Sequence, residues 1–322
     1  MFNRLRGAAA AALCLALAGP ALAQPYPTKP VRIVVPFAAG SATDIMARIV
    51  ADELRNALGQ PFVVDNKPGG SAQIGAELVA KSPPDGYTLF VTTNTSHSAN
   101  PFLFKKLSYD PVKDFAPVAN IMRIPVIIVT NPKSNLNSLK ELVAYAKANP
   151  GKVSFGYGNS IGQVVGAAFA KQSGLEVITV PYKSTPQAIT DVLAGQVTYS
   201  VADMASARGF VTDGRLKALG ASSGKRMALL PDVPAIAEMP GLEGFEVIAW
   251  VAMFAPAGTP KDIVDKLNAA VRAALAKPEV KDKIASFAAE PAPGTAEELA
   301  AFVDAQLVSW GKSIKDAGIQ PE

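Results

Sequence analysis

The sequence predicts an α/β protein of two domains built on parallel sheets, the first completed by the C-terminal part of the chain. Three features predict it. Short β-branched runs alternate with helical segments from Ile33 onward, the pattern of βαβ units. A long apolar run, Ile121 to Thr130, is broken by Pro125, and the βα pattern then restarts. A second apolar run, Phe245 to Ala255, is followed by helical segments alone, which usually pack back onto an existing sheet. The chain should therefore cross out near Met122–Val129 and return near Val247–Phe254. This gives a first domain of residues 24–123 and 248–322 and a second of residues 124–247. Two crossings permit hinge closure about a cleft.

The N-terminus is read as a signal peptide, residues 1–23. Arg4 and Arg6 precede an apolar Ala/Leu run, and Ala21-Leu22-Ala23 is a small-x-small signal with cleavage expected after Ala23. The single cysteine, Cys14, falls inside it, and Leu13 stands where a lipoprotein signal would want a small residue. The exported chain would hold no disulfide, so stability must come from a packed core. Losing Arg4 and Arg6 takes the formal charge of +4 to near +2. No Lys/Arg cluster points to nucleic acid, and no later apolar run reaches the ~18 residues of a membrane span.

The elements follow in order. Ile33-Val34-Val35 reads as a strand buried on both faces, stopped by Pro36. Ala38 to Ala42 is a loop nearly free of side chains. Ile45, Met46, Ile49, Val50, Leu54 and Leu58 then recur at helical spacing. Phe62-Val63-Val64 is a strand, Lys67 to Gly70 a turn, Ser71 to Lys81 a helix and Tyr87 to Thr92 a strand. The polar run Thr92 to Ser98 is read as a loop at that strand's carboxyl end, where open α/β sheets bind ligands. In the second domain, helices are expected over Ser138–Ala148, Val164–Ser173 and Thr185–Ala194. Strands are expected over Val153–Tyr157, Val177–Tyr182, Val197–Val201 and Leu216–Ala221. Three terminal helices span Lys261–Ala276, Pro278–Ser286 and Ala296–Gly318.

Two loops carry the chemistry. The first points free N–H groups and a positive helix end at one spot, an anion site made without a charged side chain. The second, Gly156-Tyr157-Gly158-Asn159-Ser160-Ile161-Gly162, repeats that arrangement, with Asn159 and Ser160 as helix-capping types. Facing one cleft, the two could hold a small anion between helix ends.

Gly158 to Gly162 also matches G-x-S-x-G, the nucleophile elbow of serine hydrolases. That chemistry needs a histidine, and the single histidine, His97, precedes Ser160 rather than following it. The reading kept open is a secreted hydrolase using Ser160. One histidine and no cysteine beyond the signal cannot build the usual zinc shell, no loop has dense Asp spacing, and no Walker A loop is present. No metal, cofactor or catalytic residue is therefore expected. Asp44, in a first helical turn, is read as bracing its loop. Asp203 either accepts from a ligand or braces a loop. Trp250 and Phe254 are read as packing the second crossing.

The chain resembles the Bug family, the extracytoplasmic solute receptors of tripartite tricarboxylate transporters. The resemblance rests on Tyr26-Pro27-Thr28-Lys29-Pro30-Val31-Arg32, Pro36-Phe37 through Asp44, and Asp65-Asn66-Lys67-Pro68-Gly69-Gly70. It continues through Pro84-Asp85-Gly86-Tyr87-Thr88-Leu89, Tyr109-Asp110-Pro111 with Asp114-Phe115, Leu230-Pro231-Asp232-Val233-Pro234, and Ala255-Pro256-Ala257-Gly258-Thr259-Pro260. It implies a periplasmic binding-protein type II fold, two Rossmann-like domains joined by two hinge segments in the manner of a Venus flytrap. It also implies a small carboxylate held between the two loops, delivery to a tripartite tricarboxylate-type membrane permease, and action in the periplasm as a monomer. One departure stands out. The family's first loop usually has a Gly-Gly pair, whereas Gly40 is followed here by Ser41-Ala42, which adds a hydroxyl and narrows the loop.

The expected ligand contacts fall in four groups. The first loop supplies Phe37, Ala39, Gly40, Ser41, Ala42 and Thr43. The polar run supplies Thr93, Asn94, Ser96 and His97. The second loop supplies Gly158, Asn159, Ser160, Gly162 and Gln163. Later strand and helix ends supply Thr185, Asp203 and Met204. A solute sensor feeding a signalling partner would share this fold and site.

Overall fold

Five residues, Val31–Val35, open the first sheet as strand β1 and set its direction toward what becomes a cleft. The computed structural model describes residues 26–322; the signal peptide, its cleavage after Ala23, and Cys14 lie outside the described residues. From β1 the chain enters helix α1 (Ala42–Leu58), strand β2 (Phe62–Asn66), helix α2 (Gln73–Ala80) and strand β3 (Thr88–Thr93). A short helix α3 (Asn100–Leu103) precedes strand β4 (Phe115–Ile124), which runs to the first crossing.

Beyond Pro125 the second lobe begins with strand β5 (Val126–Thr130). It continues with helix α4 (Leu139–Ala148), strand β6 (Val153–Tyr157), helix α5 (Ser160–Gln172) and strand β7 (Val177–Pro181). Helix α6 (Thr185–Leu193), strand β8 (Tyr199–Asp203), helix α7 (Met204–Thr212) and strand β9 (Lys217–Ala221) complete it. Strand β10 (Ala249–Pro256) returns the chain to the first lobe. Helices α8 (Lys261–Ala276) and α9 (Pro278–Ala285), the two-residue strand β11 (Glu290–Pro291) and helix α10 (Ala296–Asp316) follow.

The first sheet has the order β11-β4-β10-β3-β1-β2 and the second β7-β6-β8-β5-β9. The βα strands pair in parallel, but β10 is antiparallel to both β3 and β4, and β5 to both β8 and β9. The sheets are mixed where parallel ones were expected. The reason is directional: β5 and β10 each start at a crossing and run away from the cleft, while the βα strands run toward it. Helices α8 and α10 pack against β4, so the terminal helices do return to the first sheet.

Local chemistry moves several boundaries. Helix α5 starts at Ser160 rather than Val164, because the Asn159 side chain accepts the Gly162 N–H at 3.0 Å and caps it there. The run from Phe245 becomes a strand only at Ala249. The stretch expected as a hydrophilic loop, Thr92 to Ser98, is not a surface loop. It winds into a wide π-type turn, Thr95–Ala99, and residues Asn94 to Ser98 are fully shielded from solvent. Most of its hydroxyls find partners within the turn: Thr92 Oγ1 lies 2.7 Å from Ser96 Oγ, and the Thr95 N–H donates to Thr93 Oγ1 at 3.1 Å, while Ser98 Oγ is buried without one.

Candidate functional site

The first loop is held by its own side chains. Gly40 adopts φ +83, a left-handed turn that a Cβ would strain. Its N–H donates to Asp44 Oδ2 at 2.9 Å, while the Asp44 N–H donates to Ser41 Oγ at 3.3 Å. Asn66 Nδ2 ties the loop down from the neighbouring strand, reaching Phe37 O and Asp44 Oδ1, each at 2.9 Å. Burial works against charge on Asp44. Bonds from Arg48, the Gly40 N–H and Asn66 outweigh it and hold the carboxyl below its ordinary range. Asp44 thus braces the loop, as its position in the first helical turn suggested.

The second loop is set by a close approach. A Cβ on Gly158 would lie 2.0 Å from the backbone of Ser184 and Thr185, so the β6–α5 loop rests directly on the start of α6. Asn159 Nδ2 reaches Thr185 Oγ1 at 3.4 Å. Strand β8 ends in Asp203, which caps α7 by accepting the Ser206 N–H at 2.8 Å and lies 3.2 Å from the Ser206 hydroxyl. Burial pushes the Asp203 carboxyl up, and the Ser206 bonds only partly offset this.

These pieces meet around a cavity of about 30 Å³ between the lobes. The first lobe contributes Phe37, Ser41, Ala42, Thr43, Thr93 and Asn94. The second contributes Asn159, Ile161, Thr185 and Asp203. Ile124, Val126, Ala249 and Val251, from the two crossings, line the rest. Ala42 and Thr43 open α1, Ile161 lies in the first turn of α5, Thr185 opens α6 and Asp203 caps α7. Four helix N-termini therefore converge where the sequence suggested two. The lining includes no lysine or arginine, and Asp203 is its one ionisable side chain. An open groove of about 800 Å³ on the outer side of the first lobe, lined by residues such as Ala269, Leu275 and Pro293, gathers no such helix ends.

Several of the expected site residues do not line this cavity. His97 is fully buried, stacked on Phe254 and flanked by Phe90, Phe115 and Trp250, with Nδ1 2.9 Å from Ser96 Oγ. Ser96 is spent on Thr92 and His97. Both face the interior of the first lobe because the π-type turn rolls them away from the cleft. Met204 points into the apolar core with Ile127, Ile189 and Ala207. Ala39 and Gly40 are exposed, and Gly158, Gly162 and Gln163 are not among the lining residues. Ser160 is also outside the lining: its Oγ lies 3.0 Å from Asn94 Nδ2 and 2.9 Å from Thr95 Oγ1. No histidine attends it, so the nucleophile-elbow reading has no base.

Sequence reasoning named Phe37 and Ala42 of the apolar lining but missed Ile124, Val126, Ile161, Ala249 and Val251, although all of these except Ile161 fall within the crossings it identified. It also missed Thr95 and the bracing role of Asn66, inside the Asp-Asn-Lys-Pro stretch.

Two α/β lobes joined by a pair of crossings and closing on a ring of helix N-termini define a solute-binding protein of the type II, Venus-flytrap class. The chain belongs to the tripartite tricarboxylate transporter receptor family, matched over residues 46–319. Solved structures agree. Rpa4515 of R. palustris, solved with adipate, is 34% identical with a TM-score of 0.89 and covers 92% of this chain and 100% of its own. The periplasmic binding protein BugD is 36% identical at TM-score 0.87, covering 92% and 100%. MatC of Rhodopseudomonas palustris, with bound malate, is 32% identical at TM-score 0.84, covering 90% and 100%. The family is one of receptors, so the chain is a binding protein and not an enzyme, and Ser160 is not a catalytic nucleophile.

Proposed function

We propose that this receptor captures a small mono- or dicarboxylate in the cavity between its lobes and delivers it to a tripartite tricarboxylate-type permease. The observation that carries the reading is the convergence of four helix N-termini on a lining without lysine or arginine. Each helix end contributes about 0.3–1 kcal/mol to an anion, so four supply about 1–4 kcal/mol. A micromolar complex needs about 8 kcal/mol. Hydrogen bonds from amides and hydroxyls, strengthened as closure expels water, must supply the rest. The adipate and malate seen in Rpa4515 and MatC support a carboxylate as cargo.

A cavity of about 30 Å³ is far below the ~300 Å³ and more of ordinary ligand pockets, so loading requires the lobes to part. The hinge lies in the two crossings, near Met122–Val129 and Val247–Phe254. The protein is exported after cleavage at Ala23, works in the periplasm and acts as a monomer.

The test is a thermal-shift titration of the mature protein against mono-, di- and tricarboxylates. Ligand at a hundredfold excess over Kd adds about 2.7 kcal/mol of stability. A dose-dependent rise with one chemical group supports the reading. No shift with any carboxylate, in folded protein stripped of ligand, overturns it.

A further inference from the structure

One hydrogen-bond cluster spans the two lobes beside the cavity, and of its three members only Asn94 lines that cavity. Ser160 begins α5 in the second lobe and is 2% exposed, while Thr95, in the first, is fully buried. Their hydroxyl oxygens are 2.9 Å apart, and the Ser160 N–H points to Thr95 Oγ1 at 3.4 Å. Asn94 Nδ2 donates to Ser160 Oγ at 3.0 Å. Asn94 also lines the cavity, whereas neither Thr95 nor Ser160 does.

We propose that Thr95 and Ser160 form an interlobe latch: positioning residues that hold the lobes closed and set affinity without touching the ligand. The proposal rests on the cavity being the ligand site. Separating the lobes breaks all three contacts together, and Asn94 ties the latch to the ligand space. Because the latch acts on the closed fraction alone, its loss scales every ligand's apparent affinity by one common factor. A residue that touches ligand would instead change the ratio between ligands. A net hydrogen bond of ordinary strength corresponds to a loss of about two- to tenfold.

The test uses Thr95→Val, Ser160→Ala, the double variant, and Thr95→Ser as the variant that keeps the hydroxyl. Two quantities are read: the radius of gyration of ligand-free protein by small-angle X-ray scattering, and Kd for malate and adipate by calorimetry. The latch requires the two hydroxyl-removing single variants to expand the ligand-free protein and to weaken both ligands by the same factor, about two- to tenfold. The double variant should be no worse than the weaker single, and Thr95→Ser should restore wild-type values. Unchanged scattering, additive losses, or a loss confined to one ligand overturns it. Should wild-type protein bind neither probe, the carboxylate reading fails for these two ligands while the scattering still decides the latch. Thermal unfolding of each variant separates an opened fold from a damaged one.

Discussion

The imidazole of His97 lies flat against the ring of Phe254, with centroids 3.9 Å apart and planes 19° apart. Phe115 stands 4.7 Å away, and Phe90 and Trp250 close the cage. No charged group is among these neighbours, and burial drives the His97 pKa down from 6.5 to about 3.

This makes His97 a source of acid sensitivity. The folded state keeps it neutral, while the unfolded chain takes up a proton below pH 6.5. Its contribution to stability is complete above pH 6.5 and is lost as pH falls toward 3. Replacing it (His97→Phe) should remove about 2 kcal/mol of the stability lost between pH 7.5 and pH 5. Urea unfolding of both proteins at the two pH values checks this. Equal losses would mean that the ring is not kept neutral. Carboxylate affinity should not change, since His97 lies off the cavity.

Ser41 does two jobs, capping α1 and lining the cavity. Ser41→Ala should lower stability by about 1 kcal/mol, and Ser41→Gly by only a few tenths. Both should weaken ligand binding, because both lack the hydroxyl. Chemical unfolding and calorimetry on the same samples separate the two effects. Binding kept by Ser41→Gly would place the hydroxyl outside the contact set.

Gly158→Ala is a steric test of the second loop. The new methyl would sit 2.0 Å from the backbone where α6 begins, and backbone cannot swing aside as a side chain can. The expected loss is about 3 kcal/mol, at the upper end for overpacking, with binding reduced because the Asn159 and Thr185 ends are pushed apart. A melting temperature equal to wild type would show that the backbone at Ser184 and Thr185 gives way to a methyl group.

Asp203→Asn should stabilise the protein at neutral pH. Burial raises the folded-state pKa, so the carboxylate penalises folding above its unfolded value of 3.8, and fully once pH exceeds the folded value. Asparagine caps a helix as well as aspartate does, so α7 keeps its start. Melting temperatures should therefore differ at pH 7 and converge at pH 3. A variant less stable at both would assign the carboxylate a partner that favours its charge.

The legible parts of the fold are those with a period or a break. Ile33-Val34-Val35 followed by helical spacing gave β1 and α1, and Pro125 marked the first crossing. The missing parts have neither. The first part of strand β4, from Phe115 with Pro117 inside it to Asn120, and β11, two residues ending in proline, do not alternate. The polar run after β3 misled for a different reason. Hydroxyl-rich segments read as surface, yet Thr92, Thr93, Thr95 and Ser96 bond among themselves and can be buried. Within the site, the small-residue loops announced the helix ends. Ile161, Val126 and Val251 carry the same signal as any core residue, and only their arrival at one cavity separates them.

Main-chain donors at four helix starts give this cleft an unusual kind of inheritance. A side chain that binds cargo can be lost in many single substitutions, but an amide persists under every replacement of its owner except proline, which Pro186 already brings to the start of α6. The walls around those amides, Phe37, Ile124, Val126, Ile161, Ala249 and Val251, are by contrast free to change size and shape. Descendants of such a chain can exchange cargo by remodelling the walls while the proposed anion socket passes on intact.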